Sequence, residues 1–248
     1  MKPSRISLGQ KPHYRKIADD IDFFELFKKI ERRFENCFLF ESLGEEGRFA
    51  RYSIIGFDPK HIVSGNNGNF SLDGTTYEVE NPYEALREVM PEKTIARNYS
   101  GGLVGYMGYE ATQYFESSVP VKTHPDFPTF LFGAYDDGLV YDKTTNELFY
   151  FCYERDREAL VLEALHDVYV SQPLNVIFDG DELTAVEHAE IVNRVKEHIR
   201  AGNTFQCEVG LKSHYTITGD TLRIYERLRE VNPSPFMYFL KFGTRKII

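Results

Sequence analysis

Apolar positions fall into two rhythms along this chain, and the rhythm changes from segment to segment. Between Asp22 and Glu35, Phe23, Phe27, Ile30 and Phe34 recur at helical spacing with charge on the other side, which predicts an amphipathic helix. Asn81-Pro82 is a helix start, with Asn as cap and Pro at the first helical position, so Tyr83 to Met90 reads as a short helix. Glu110 to Glu116 and Asp156 to Val170 are further helical stretches. Thr184 and Glu187 have the spacing of a capping box. The helix they open runs to Arg200, with Val192, Val195 and Ile199 expected to face inward and Gly202 to stop it. Asp220 to Arg229 is amphipathic again, through Leu222, Tyr225 and Leu228.

Shorter apolar runs, bounded by turn residues, read as strands. They are Cys37 to Phe40, Phe49 to Phe57, a meander over His61 to Val79, Thr129 to Tyr135, Gly138 to Tyr141 and Glu147 to Tyr153. Leu43 to Gly47 is a turn-rich connection between the first two. Thr204 to Gly210, Leu211 to Ile217 and Phe236 to Phe242 are strand-like in the C-terminal part. Strands in runs with helices between them predict an α+β fold, with antiparallel sheets covered by helices. Ser171 to Asp181 holds a Pro, a Gly and several polar residues, and reads as a linker between regions 1–172 and 182–248. The chain stops on an apolar strand without a polar flank, so it is expected to be cut from something longer and prone to aggregate.

Composition narrows the chemistry. A net charge of −9 argues against a nucleic-acid partner, which would want a basic stripe. Three widely separated cysteines, Cys37, Cys152 and Cys207, form neither a disulfide framework nor a zinc spacing. Reduced thiols in a cytoplasmic protein are the expectation. The N-terminus lacks a signal-peptide core, and no apolar run approaches the ~20 residues of a membrane span. The seven histidines are scattered without metal or triad spacing, so each is assigned a packed or solvated role.

Two stretches stand out. In Val231-Asn232-Pro233-Ser234-Pro235-Phe236-Met237-Tyr238, two prolines one residue apart end a helix and stiffen its turn into a strand. On its own such a corner is read as a bend. The glycine-rich segment Tyr99 to Tyr109 invites a phosphate cradle, but no G-x-G-x-x-G or P-loop pattern fits it. A strand whose glycines permit close backbone approach is the better reading.

Four segments together resemble the large component of anthranilate synthase, among the chorismate-utilising enzymes. They are Phe40-Glu41-Ser42 with Arg51-Tyr52-Ser53-Ile54-Ile55-Gly56; Gly101-Gly102-Leu103-Val104-Gly105-Tyr106; Ile199-Arg200-Ala201-Gly202-Asn203-Thr204-Phe205-Gln206; and Asn232 to Tyr238. The resemblance implies face-to-face antiparallel sheets flanked by helices in α/β/β/α layers, truncated here. It implies an N-terminal region over 1–172 and the start of a chorismate-binding domain over 182–248. It further implies a lyase that converts chorismate and ammonia to anthranilate and pyruvate. The Mg²⁺ ligands and catalytic residues of that lyase would lie in a C-terminal half not contained here, leaving this piece inactive alone.

The implied partners are a glutamine amidotransferase subunit, chorismate as substrate and L-tryptophan as feedback inhibitor. Glu41, Ser42, Pro235, Phe236 and Met237 would bind the tryptophan. Glu41 would meet its ammonium, Ser42 would donate or accept, and Phe236 and Met237 would offer apolar faces to the indole. Gln206 stands where water-using relatives tend to carry a lysine; a neutral amide cannot serve as that base, which favours ammonia as nucleophile. Asn203 and Gly210 depart from the family's usual Asp and Ser. The alternatives are 4-amino-4-deoxychorismate synthase and a non-catalytic amino-acid-binding module.

Overall fold

The computed structural model describes residues 3–43, 51–91, 99–116, 118–119 and 121–248. The chain forms two compact units. The larger comprises residues 1–169 and 228–248, and the smaller residues 170–227.

The larger unit is built on two antiparallel sheets. In chain order its elements are β1 (His13–Asp19), α1 (Phe23–Arg33), β2 (Asn36–Glu41), β3 (Tyr52–Phe57), β4 (His61–Asn66), β5 (Asn69–Leu72), β6 (Thr75–Glu78), α2 (Pro82–Val89), β7 (Gly102–Met107), β8 (Phe130–Tyr135), β9 (Asp137–Asp142), β10 (Glu147–Cys152) and α3 (Glu158–His166). The smaller unit contains β11 (Leu174–Asp181), α4 (Ala185–Arg200) and β12 (Ser213–Gly219). Helix α5 (Leu222–Val231) begins in the smaller unit and ends in the larger, where β13 (Met237–Phe242) and β14 (Arg245–Ile247) follow.

One sheet has seven strands in the order β1-β10-β9-β3-β2-β13-β14; the other has five, β6-β5-β4-β8-β7. The sheets meet face to face. Phe38, Leu240 and Phe242 of the first pack with Val104, Leu131 and Tyr135 of the second. The Phe38 and Tyr135 rings sit 4.8 Å apart, edge to face. Alternation sends Cys37 and Leu39 to the opposite side of the first sheet, on which α1 lies. Phe27 of α1 is fully buried, its ring 5.4 Å from that of Phe239. A side chain so buried contributes about 1.5–3 kcal/mol. Helix α2 covers the second sheet, packing Ala85, Leu86 and Val89 with Val63, Phe70 and Phe130. The result is α/β/β/α layering, as expected.

Caps follow the sequence closely. Asp22 Oδ1 accepts from the backbone N–H groups of Phe24 and Glu25 at 3.0 Å each. Asn81 Oδ1 accepts from that of Tyr83 at 2.9 Å. The Thr184–Glu187 capping box is closed in both directions.

Several expectations need correction. Ser171 to Asp181, read as a linker, contains a strand: Leu174–Asp181 is β11, paired with β12. The inward face assigned to Val192, Val195 and Ile199 is only partly covered: Val192 and Val195 are half-buried, Ile199 is exposed, and no residue of α4 is fully buried. Glu110 to Glu116 is a 3-10 turn over Tyr109–Tyr114 rather than an α-helix. The helix expected from Asp156 to Val170 is trimmed to Glu158–His166. Residues 204–212 are irregular, and the strand there starts at Ser213. β1 has no counterpart among the expected strands: it is a strand of mainly polar residues that, among the described residues, pairs with β10 alone. The turn over Gly44 to Gly47, and the start of the next strand at Phe49, lie outside the described residues; that strand is described from Tyr52.

The glycine-rich segment is strand β7. A Cβ on Gly105 would stand 2.0 Å from the Leu131 carbonyl oxygen, so glycine here lets two backbones approach.

Candidate functional site

Strand β2 ends at Glu41, and β13 begins at Met237. The two strands are antiparallel neighbours, with Met237 opposite Glu41 and Tyr238 opposite Phe40. Opposed residues share a face, so Glu41 and Met237 lie on the α1 side, while Phe40 and Tyr238 lie on the other. Beyond the strand ends, Leu43 N–H donates to the Ser234 carbonyl at 2.7 Å, tying the segment after β2 to the proline corner. Ser234 Oγ accepts from the Phe236 N–H at 3.4 Å, closing the corner locally.

Around this junction is a cavity of about 320 Å³, lined by Phe40, Glu41, Ser42, Tyr52, Pro235, Phe236, Met237 and Tyr238. All five residues singled out from the sequence are in that lining. Glu41, Ser42 and Met237 are each 6% exposed, whereas the Phe236 ring is 79% exposed at the mouth. Glu41, at the end of its strand, is therefore buried rather than solvated.

Its carboxylate is held by Arg229, near the end of α5. Arg229 Nε donates to Oε1 at 2.7 Å, and Nη2 to Oε2 at the longer distance of 3.4 Å. The guanidinium also lies over the Phe24 ring of α1, 4.2 Å from its centroid. A second cation, Lys143, donates to the Ser42 carbonyl. Burial lowers the Lys143 pKa, and Glu41 nearby works in the opposite direction.

Ser42 Oγ is buried with no hydrogen-bond partner among the described residues. A buried hydroxyl without a partner costs about 1–3 kcal/mol, so a ligand that supplied one would recover that energy. The cavity lining thus includes a buried acid, a hydroxyl with no partner among the described residues, and aromatic and thioether side chains. Such a set suits a small molecule with a polar, cationic end and a flat apolar body.

Sequence reasoning missed Phe40, Tyr52 and Tyr238 in the wall, and Arg229 and Lys143 behind Glu41. Tyr52 belongs to the Arg51-Tyr52-Ser53 run and could have been found there. Nothing local marks Arg229 or Lys143. Gln206, the candidate active-site neighbour, belongs to the other unit. It is an exposed residue of the smaller unit, in the irregular segment between α4 and β12, and its carbonyl accepts from Thr204 Oγ1 at 2.9 Å.

No group of three or more His, Cys, Asp or Glu side chains is placed to hold a metal ion among the described residues. Nor is any helix among them long and apolar enough to cross a membrane.

Comparison with known proteins agrees with this architecture. Residues 35–248 match the family model described as chorismate binding enzyme. The chain is 43% identical to anthranilate synthase component 1 of Leptospira biflexa, over 98% of this chain and 54% of that relative. It is 34% identical to the protein of the same name from Methanothermobacter thermautotrophicus, over 93% of this chain and 51% of that relative. The crystal structure of anthranilate synthase component I from Streptococcus pneumoniae superposes with a TM-score of 0.65 at 25% identity, covering 83% of this chain and 51% of the other. The chain spans about half the length of the curated relatives it matches. With the layered sheets and this breadth of sequence match, the chain belongs to the chorismate binding enzyme family.

Proposed function

We propose that this chain is the tryptophan-sensing, N-terminal part of an anthranilate synthase large component, in which the cavity at Glu41 and Met237 binds L-tryptophan. The observation that carries this reading is the register of β2 against β13. It sets an acid and a hydroxyl with no partner among the described residues beside the proline corner, around a cavity of about 320 Å³. The ammonium of the ligand would meet Glu41 through a charge-assisted hydrogen bond. Ser42 Oγ would satisfy one polar atom of the ligand. The Phe236, Met237 and Tyr52 surfaces would sandwich its ring, and the prolines hold the corner preformed, which lowers the ordering cost of binding.

In the whole protein, chorismate and ammonia would yield anthranilate and pyruvate, with ammonia delivered by a glutamine amidotransferase partner. Mg²⁺ would supply Lewis acidity. The described side chains offer no donor set for it, so its ligands would lie outside them. Tryptophan would act as an allosteric inhibitor by binding two states of the enzyme unequally. A cytoplasmic location fits this role.

Calorimetry of the chain with L-tryptophan tests the assignment. A 1:1 isotherm is expected, with Glu41→Ala weakening affinity at least tenfold. Unchanged affinity in Glu41→Ala would remove the cavity as the binding site.

A further inference from the structure

Glu41 has one carboxylate and, on the reading above, two cations to serve. Arg229 already holds it. The carboxylate is buried, its side chain 3% exposed, while the Arg229 side chain is 28% exposed. The two contacts are unequal: Nε to Oε1 is a normal charge-assisted bond at 2.7 Å, and Nη2 to Oε2 is stretched to 3.4 Å. Oε2 is thus the weakly held oxygen of Glu41, a residue of the cavity lining.

Arg229 has a second source of stabilisation, the Phe24 ring 4.2 Å away, so it can loosen from Glu41 without losing its place against α1. It also belongs to α5, the helix that runs from the smaller unit into the larger.

We propose that Arg229 is a built-in competitor for Glu41, so that an incoming ammonium takes Oε2 from it and loosens the C-terminal turn of α5. The inference rests on the cavity being an amino-acid site, and it adds how occupancy is selected and transmitted. Selection follows because only a ligand bearing a cation can replace what Arg229 gives up; an apolar ring alone leaves the ion pair intact. Transmission follows because the residue released lies at the end of the segment that joins the two units. Lys143, engaged with the Ser42 carbonyl and within reach of the Glu41 charge, is a constant background in wild type and both variants.

Arg229→Gln keeps length and a donor amide but removes the charge, leaving a buried carboxylate without its counter-ion. Titration of wild type, R229Q and R229K with L-tryptophan and with indole-3-propionate, which lacks the ammonium, separates the possibilities. R229Q is expected to bind L-tryptophan about threefold to tenfold more tightly than wild type, with indole-3-propionate unchanged and R229K close to wild type. Weaker binding of L-tryptophan to R229Q, or an equal change for both ligands, would overturn the competition while leaving the cavity assignment standing. Failure of folded wild type to bind L-tryptophan at all would remove both.

Should R229Q not fold, amide exchange of the wild-type chain still decides. Residues 226–231 should exchange faster with L-tryptophan bound and be unmoved by indole-3-propionate. Protection of those amides by L-tryptophan would contradict the proposal.

Discussion

Arg229 and Glu41, 188 positions apart in the chain, meet at 2.7 Å on the α1 side of the seven-stranded sheet. That pair is possible because β13 inserts beside β2, which makes the last strands of the chain part of a sheet begun by the first. The candidate site is therefore a product of topology. Its acid, its hydroxyl and its proline corner come from opposite ends of the sequence and are neighbours only because the two strands are.

The Ser42 hydroxyl, which has no partner among the described residues, yields a contrast between stability and binding. Ser42→Ala removes a buried oxygen that nothing among the described residues satisfies, so the unliganded chain should be no less stable, and up to about 1 kcal/mol more stable. Its affinity for L-tryptophan should nevertheless fall. Urea unfolding and calorimetry on the same preparation check both halves.

Asp142 gives a pH dependence. Hydrogen bonds from Arg51, at 2.6 Å to Nη2, and then from the Thr144 backbone hold its pKa below the ordinary 3.8. The associated stabilisation is fully present above pH 3.8 and is lost as pH falls toward the depressed folded-state value. Arg51→Gln should flatten that part of the acid-unfolding curve. The effect should be below about 1 kcal/mol, because the Arg51 side chain is 48% exposed and its charge is screened.

Thiol reactivity should divide the three cysteines. Burial pushes the Cys37 thiol up to about 12 and raises that of Cys152, whereas Cys207 is exposed. At pH 8, iodoacetamide should label Cys207 within minutes, and Cys37 and Cys152 only after denaturation. Peptide mass spectrometry reads the order directly.

Gly105 and Gly210 form a matched pair. A methyl on Gly105 meets the Leu131 carbonyl at 2.0 Å, while one on Gly210 meets nothing within 4 Å. Gly105→Ala should cost about 1–3 kcal/mol or more, since backbone rather than a movable side chain must give way. Gly210→Ala should change stability by less than about 0.5 kcal/mol. Thermal melts of the two variants provide the comparison.

Much of the fold was readable where local chemistry decides the element. Asp22, Asn81 and Thr184 announce their helices because a capping side chain acts within three residues of itself. Phe23, Phe27 and Ile30 announce the buried face of α1 by spacing alone. β1 was not readable, because an edge strand needs no apolar alternation to pair on one side. β11 hid behind Pro173 and Gly180, and pairs with β12 with a register shift between Phe178 and Gly180. At the candidate site, the motif residues were legible through resemblance. The burial of Glu41 and its capture by Arg229 were not, since both depend on a pairing between remote strands.

The insertion of β13 between β2 and β14 also sets a schedule for synthesis. The inner edge of β2 has no partner until residues 237–242 have left the ribosome, by which time the whole of 170–227 has already emerged. The larger unit is begun before the smaller one and gains β13 only after it, and any nascent chain halted before Met237 carries an open β2 edge available to other strands.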